Sequence, residues 1–284
     1  DNFGMSEEDA QRIPVDKEQV PDDLLAYVRQ RIRNNELNFS KNRYIYLPLI
    51  TVITVVFNGK VTLPKTIDSV LSQSYPNVEY IIVDGCSEDG TLDLLKSYQD
   101  NVDYWVSEVD CGLYEAMNKG LCLSIGKQIG IVGDSDLYYK NCLLAVSSCG
   151  ENDIVVGPVR VGKKIKYGFD PGKKKFGSGK CISSHSVGMF VGMSQYKKLG
   201  IYDTHYFQAS DGDFIYRMMY YSSQNIRSIC SGVVFGEFSL DGISNNSVFL
   251  QFVENAIIMY KHGIPKYLVV GQLFLRLIKN YFKY

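Results

Sequence analysis

The stretch Leu49-Ile50-Thr51-Val52-Ile53-Thr54-Val55-Val56 decides the fold. It is a nearly unbroken β-branched and aliphatic run, opened by Pro48 and broken by Asn58-Gly59. Such a run describes a strand covered on both faces, as in parallel sheets; a strand with one wet face would alternate. Working outward, Leu63, Ile67, Val70 and Leu71 fall at helical spacing, and Val78–Val83 repeats the buried-strand pattern up to Asp84-Gly85. Thr91–Tyr98 reads as a helix, Val102–Val106 as a short strand, Leu113–Leu123 as a helix, and Gln128–Val132 as a strand ending at Gly133-Asp134. This alternation predicts an α/β, Rossmann-like fold, a mostly parallel sheet flanked by helices with right-handed crossovers. Ligands of such sheets bind beyond the carboxyl ends of the strands. Thr54–Gly59, Asp84–Gly90 and Gly133–Asp136 are therefore expected to converge on one rim.

Four regions follow along the chain. Residues 1–47 read as an N-terminal helical extension, with Pro21, Asp22 and Asp23 opening a helix whose Leu24, Val28 and Ile32 share a face. Residues 48–158 form the α/β half. After Gly157-Pro158 an α+β half spans 159–245: a hairpin over Val159–Phe169, a Gly/Lys-rich and mobile Asp170–Lys180, a strand over Ser186–Met193, a helix over Asp211–Tyr221, and extended chain over Ile226–Phe238. Residues 246–284 carry two amphipathic helices, one on Phe249, Phe252, Val253, Ala256, Ile257 and Tyr260, the other over Lys266–Lys283. Leu113, Met117 and Leu121 are expected in the core. The chain opens on Asp1 rather than Met, as a fragment of a longer chain would.

Composition excludes several classes. Thirty Lys+Arg against 31 Asp+Glu leave a net charge of -1, without the basic excess of a nucleic-acid binder. No apolar run is long enough to span a bilayer, and no secretory signal stands at the amino end. Seven cysteines without a C-x-x-C pair read as reduced thiols of a cytosolic protein. The near-zero sum hides charge blocks. Residues 1–23 carry eight acids against Arg12 and Lys17, Lys163–Lys180 holds seven lysines and one acid, and no acid follows Glu254. The lysine block reads as a solvated loop or as a lid closing on phosphates. The 265–284 segment, apolar with Lys266, Arg276, Lys279 and Lys283, reads as a helix packed on the core or as a peripheral contact with anionic lipid.

The rim residues carry the chemistry. Asp134-Ser135-Asp136 can share Mg2+ or Mn2+, and is also ordinary turn chemistry. Asp84, at a strand end, can accept from a base N–H or a ribose hydroxyl, whereas Asp89 reads as the cap of the Thr91–Tyr98 helix. In Glu108–Gly120 the acids precede a helix running along the pocket floor.

Taken in order, Ile53–Asn58, Tyr80–Thr91, Asp103–Asp110, Gly112–Gly120 and the Asp134/Asp136 pair resemble glycosyltransferase family 2, more narrowly the branch that builds bacterial surface polysaccharides. The resemblance covers roughly residues 48–245. It implies the GT-A fold, a nucleotide-sugar donor with UDP-sugar favoured, a Mn2+ or Mg2+ cofactor, and inversion at the anomeric carbon. Residue by residue, it puts Thr54, Val56 and Asn58 around the base, Asp84 on the base or ribose, and Asp110 beside the nucleotide-sugar, with Lys119 in the same set. Asp134 and Asp136 fall on the metal-binding Asp-x-Asp motif, with the first acid shifted by one place. His185 falls where it would touch donor phosphates, or is structural. Ala209-Ser210-Asp211-Gly212-Asp213-Phe214 resembles the segment whose first Asp is the general base, making Asp211 the first choice and Asp213 the second. The two also fit as helix caps.

The expectation is a metal-dependent hexosyl- or N-acetylhexosaminyl-transferase at the cytoplasmic membrane face, acting on a glycan or lipid-linked glycan acceptor. Residues 48–158 become its nucleotide-sugar half and 159–245 its acceptor half. Two rivals stand beside it. A nucleotidyltransferase would carry a Gly-rich loop with Arg and Lys, and none follows Val56. A non-catalytic sugar-nucleotide-binding or membrane-docking module would bind UDP without turnover.

Overall fold

The computed structural model describes residues 47–169, 186–229, 232–239 and 248–281. The expected helix at 21–32, the 170–180 segment and His185 lie outside the described residues. Strands β1 (Ile50–Val56), β2 (Val78–Asp84), β3 (Tyr104–Ser107) and β4 (Gln128–Gly133) alternate with helices α1 (Leu63–Leu71), α2 (Thr91–Ser97) and α3 (Leu113–Leu123). The remaining elements are β5 (Leu137–Tyr138), α4 (Cys142–Val146), β6 (Ile154–Val156), β7 (Val159–Val161), β8 (Lys164–Lys166), β9 (Met189–Gly192), α5 (Met193–Leu199), α6 (Ser210–Tyr221), β10 (Ile226–Ser228), β11 (Gly236–Phe238), α7 (Val248–Lys261) and α8 (Lys266–Tyr281).

Seven strands form one sheet in the order β10-β6-β9-β4-β1-β2-β3, and β5-β11-β7-β8 form a second. In the large sheet, β9 alone runs antiparallel to its neighbours β4 and β6. The large sheet takes strands from both sides of residue 158. β1 has the two covered faces its composition predicts. Ile53 and Val55 enter one core cluster, while Ile50, Val52 and Val56 enter the other. A third cluster joins Ala209 and Tyr216 of the α6 region to Ile258 and Met259 of α7 and Val269 of α8. Met117 and Leu121 are buried as expected, but Leu113, at the first turn of α3, is 38% exposed because it faces the rim side.

The register fixes the rim. Val56 pairs with Asp84, Val55 with Gly133, and Asp84 with Ser107, so β1 to β4 end at one level. The expected convergence of the three loops is therefore built into the sheet. Among the described residues, no helix is long and apolar enough to cross a membrane.

Candidate active site

The loop after β1 turns at Asn58, whose φ of 55° lies in the left-handed region that Asn tolerates better than most residues. Its amide donates to Ser87 Oγ (2.7 Å), and its side-chain Oδ1 accepts the Glu88 N–H (3.0 Å). Asp89 accepts from Thr91 N–H at 3.0 Å and from Lys60 N–H at 2.9 Å; Gly90 is the N-cap of α2, so Asp89 binds its first N–H from one residue outside and also holds the β1 loop. Phe57, which the motif reading left without a role, stands 54% exposed on this rim. A Cβ on Gly85 would lie 3.4 Å from Phe57 Cδ2 and 2.8 Å from Asp110 Oδ2, so Phe57, Gly85 and Asp110 meet.

Thr54 and Asp84 show no surface to solvent. The Thr54 hydroxyl is 3.0 Å from Tyr80 Oη, and Val56 is buried in the core. The Asp84 carboxylate accepts from Ser107 Oγ (2.6 Å), Ser87 N–H (3.0 Å) and the Ser87 hydroxyl. These residues stand behind the rim and shape it, while Phe57, Asn58 and Asp110 reach it. Asp110 accepts the Gly112 N–H at 2.9 Å, and burial raises its pKa, with Gly112 and Lys119 opposing.

Helix α3 is the hub, and its side chains divide the work. Lys119 is buried, with Nζ 2.9 Å from Glu108, 3.3 Å from Glu115 and 3.2 Å from the Val109 carbonyl. The ammonium therefore fastens the 108–112 loop rather than facing out. Asn118 donates to the Tyr202 carbonyl (2.8 Å) and accepts its N–H (3.0 Å). Tyr114 donates to Asp211 Oδ1 at 3.0 Å across 97 residues of sequence. Phe207 Cε2 would be 3.7 Å from a Cβ on Gly112, a second contact between the start of α3 and the chain just before α6.

Asp211 reaches solvent, yet protein atoms surround it closely enough to strip most of its water. That desolvation raises its pKa, and the Tyr114 hydrogen bond only partly opposes the rise. Asp213, two residues on, is 1% exposed and fully engaged. It takes Arg217 Nε at 2.8 Å and His262 Nε2 at 2.8 Å, with Lys261 Nζ at 3.6 Å. Burial alone would raise its pKa, but the His262 bond and the Arg217 and Lys261 charges outweigh it and hold the group below the usual range. Arg217 also donates to the Leu199 and Ile201 carbonyls, and His262 stacks on Tyr216 and Tyr220. Asp213 thus ties α6 to α7. In this geometry it is a poor second choice of base.

The acidic turn after β4 is held by α1. Thr62 Oγ1 donates to Asp134 Oδ2 (2.7 Å), and Thr66 Oγ1 lies 2.8 Å from the carbonyl oxygens of both Asp134 and Asp136. Neither threonine stood out in the sequence, because Thr66 on a buried helix face reads as core and Thr62, just before α1, reads as an ordinary helix start. A Cβ on Gly59 would lie 2.6 Å from Asp134 Oδ2, so the β1 loop closes directly on this turn. Asp136 is nearly buried and accepts the Ser239 N–H at 2.8 Å; burial pushes its carboxyl up to about 7. Burial also raises Asp134, with Thr62 opposing. Among the described residues, no three His, Cys, Asp or Glu side chains gather into a closed metal site. Two desolvated carboxylates on one turn do fit a Mg2+ or Mn2+ ion whose other ligands are water and substrate phosphates.

The model of glycosyl transferase family 2 matches residues 51–218, more than half of the chain. An uncharacterized glycosyltransferase of Mycobacterium tuberculosis is 32% identical over 184 residues, 60% of this chain and 68% of that one. The putative teichuronic acid biosynthesis glycosyltransferase TuaG of Bacillus subtilis is 36% identical over 99 residues, 34% of this chain and 39% of its own. Among solved structures, S. aureus TarS 1–349 in complex with UDP superposes with a TM-score of 0.57 at 16% identity, over 80% of this chain and 70% of that one. The mannosyltransferase PcManGT from Pyrobaculum calidifontis, in complex with GDP-Man and Mn2+, gives 0.54 at 16% identity, over 91% and 82%. The two structures share the GT-A architecture of a helix-flanked mixed sheet seen here. Sequence and architecture agree: the chain belongs to glycosyltransferase family 2.

Proposed function

We propose that the chain transfers a sugar from a nucleotide-sugar, a UDP-sugar by preference, to a hydroxyl of a lipid-linked glycan, with inversion, in the building of a bacterial surface polysaccharide. The observation that carries this reading is the Tyr114–Asp211 hydrogen bond. It fixes a partly exposed carboxylate of the 159–245 half beside the 108–112 loop of the 48–158 half. TuaG, named for teichuronic acid biosynthesis, supports the polysaccharide role, and the UDP bound to TarS supports the nucleotide.

In this reading Phe57 and Asn58 border the nucleobase, with Thr54, Val56 and Asp84 behind them. Asp110 meets the ribose or sugar, and Lys119 keeps its loop in place. Asp211 takes the proton of the acceptor hydroxyl as that oxygen forms its bond to the anomeric carbon. On the opposite face the bond from the anomeric carbon to the diphosphate oxygen breaks, and its electron pair leaves with the nucleoside diphosphate. Asp134 and Asp136 would hold Mn2+ or Mg2+, which supplies neutralisation of the charge growing on that diphosphate.

The test is release of nucleoside diphosphate from a panel of sugar nucleotides, with and without Mn2+ or Mg2+, for the native chain and Asp211→Asn. Diphosphate release with retained donor binding and lost turnover in Asp211→Asn is expected. Pyrophosphate release would identify a nucleotidyltransferase, and UDP binding without turnover a binding module. Full activity in Asp211→Asn would remove the proposed base.

A further inference from the structure

A helix resting on a globular core turns its apolar side inward. Helix α8 is apolar on both sides: Val269 is buried and Leu268, Leu273 and Leu277 are half-buried, yet a second apolar row lies outside. Tyr267, Val270, Phe274 and Ile278, at helical spacing, all face solvent, Tyr267 and Phe274 at 75% and 63% exposure. Gln272 and Arg276 instead take half-buried positions, the Arg276 guanidinium lying 5.8 Å from the centroid of the Phe252 ring of α7. Helix α7 continues the outward apolar surface with Ile257 and Tyr260, both more than half exposed. The two helices pack on each other, and Lys266 of α8 lies over Tyr260 of α7, so the two exposed rows adjoin there.

The segment that carries this face is basic in sequence. From Asn255 to Tyr284 the sequence holds Lys261, Lys266, Arg276, Lys279 and Lys283 and no acid. Lys266 Nζ stands 5.3 Å from the centroid of the exposed Tyr260 ring, so cation and apolar surface adjoin. In a two-fold dimer this face would meet itself, opposing like charges. An anionic bilayer satisfies both properties at once, since exposed aliphatic and aromatic side chains enter the acyl boundary while basic residues meet the headgroups.

We propose that the outward face of α7 and α8 docks on an anionic membrane surface. This deepens, and for its purpose rests on, the reading of a lipid-linked acceptor. The docked helix is also the one that braces the proposed base. Glu254 of α7 accepts the Phe207 and Gln208 N–H groups at 2.8 Å each, just before α6, and His262, after α7, holds Asp213. Docking through α7 therefore sets the acceptor side at a fixed height over the bilayer.

The experiment is co-sedimentation of the full chain with phosphatidylglycerol vesicles, with phosphatidylcholine vesicles as the neutral arm, at low and high salt. Binding to the anionic vesicles, weakened by salt, is expected. The double variant Val270→Asp/Phe274→Asp lowers binding by at least about tenfold, and Lys266→Ala by roughly fivefold, with melting temperatures unchanged because the altered side chains are exposed. No binding to anionic vesicles, or undiminished binding of the double variant, overturns the proposal. So does a dimer that the double variant dissolves without any vesicle binding, which would give the face to a second copy. UDP binding is measured by calorimetry on the same samples. Vesicle binding without UDP binding would refute the donor reading and leave the docking face standing. UDP binding and turnover without vesicle binding would do the reverse.

Discussion

The molecule contains two Asp-x-Asp segments with the same spacing and opposite physics. Asp134-Ser135-Asp136 lies on the turn after β4, and neither carboxylate has a Lys, Arg or His among the causes acting on it; burial raises both. Asp211-Gly212-Asp213 opens α6, and there the two acids part. Asp213 is surrounded by Arg217, His262 and Lys261 and is held low, while Asp211, bonded by the Tyr114 hydroxyl and backbone N–H groups but by no cation, is pushed up by burial. Spacing places the carboxylates; the charges that the rest of the fold brings to them decide what each can do. A pair without cations fits the proposed role of receiving one. A pair split between a member held by cations and one held by none fits the proposed division into a brace and a base.

The largest effect that would sharpen this contrast is on turnover. Asp211→Asn should cut kcat by about a thousandfold, within the usual range for a lost general base, with little change in stability. Asp213→Asn should behave in the opposite way. Removing the anion leaves Arg217 and His262 facing a neutral amide in a buried site, at a cost of about 3 kcal/mol, or roughly 6–12 °C in melting temperature. Activity per folded molecule should stay within about tenfold of the native value. Thermal unfolding and steady-state rates on the two variants test the division. If the phenotypes exchange, the brace and the base have been assigned the wrong way round.

The acidic turn gives the next effect, read as stability against pH. The folded-state value of Asp136, about 7, lies above the ordinary carboxylate value. The folded chain therefore binds the proton more tightly than the unfolded chain. Its contribution is fully present below about pH 4, and is lost as pH rises through about 7. Metal-free protein should lose up to about 4 kcal/mol more than Asp136→Asn over that interval, seen as a steeper fall of Tm with pH. Mn2+ selects the ionised form, so its affinity should rise through the same window and restore the lost stability. Parallel Tm–pH curves for the two proteins would show that Asp136 does not titrate there.

Much of the frame was legible from β1 outward, because two-sided burial writes itself into sequence as an unbroken β-branched run, and α3 begins and ends where its periodicity and Gly112 place it. The short elements β5, α4 and β6 were not, since two to five residues carry no period. Helix α5 escaped because its first residue, Met193, also completes the apolar run of β9. In the site, the acids themselves stood out, but their partners did not. Tyr114 and Asp211 are 97 residues apart, Asp213 and His262 are 49, and Ser239 meets Asp136 across 103. Such pairs are made by topology, and no local spacing records them. The opposite helical faces of α8 were similarly hidden, because periodicity finds a stripe without saying which side the core will take.

The smallest effect probes the link between the halves. Tyr114 donates to Asp211 and so lowers the carboxyl relative to what desolvation alone would impose. Tyr114→Phe removes the hydroxyl and keeps the ring that packs 5.7 Å from Tyr202, so the fold should stand. Without the donor the carboxyl rises further, and the base is then protonated over a wider acidic range. The acid limb of kcat/KM should move to higher pH, with a loss near neutrality of about fivefold, the worth of roughly 1 kcal/mol. Well above the limb the rate should recover, since the deprotonated base is at least as strong. A tyrosine that merely packs would move neither limb, and one that merely positions Asp211 would lower the rate equally at every pH. The full pH profile of Tyr114→Phe therefore distinguishes a hydrogen bond that tunes the base from a contact that only holds it.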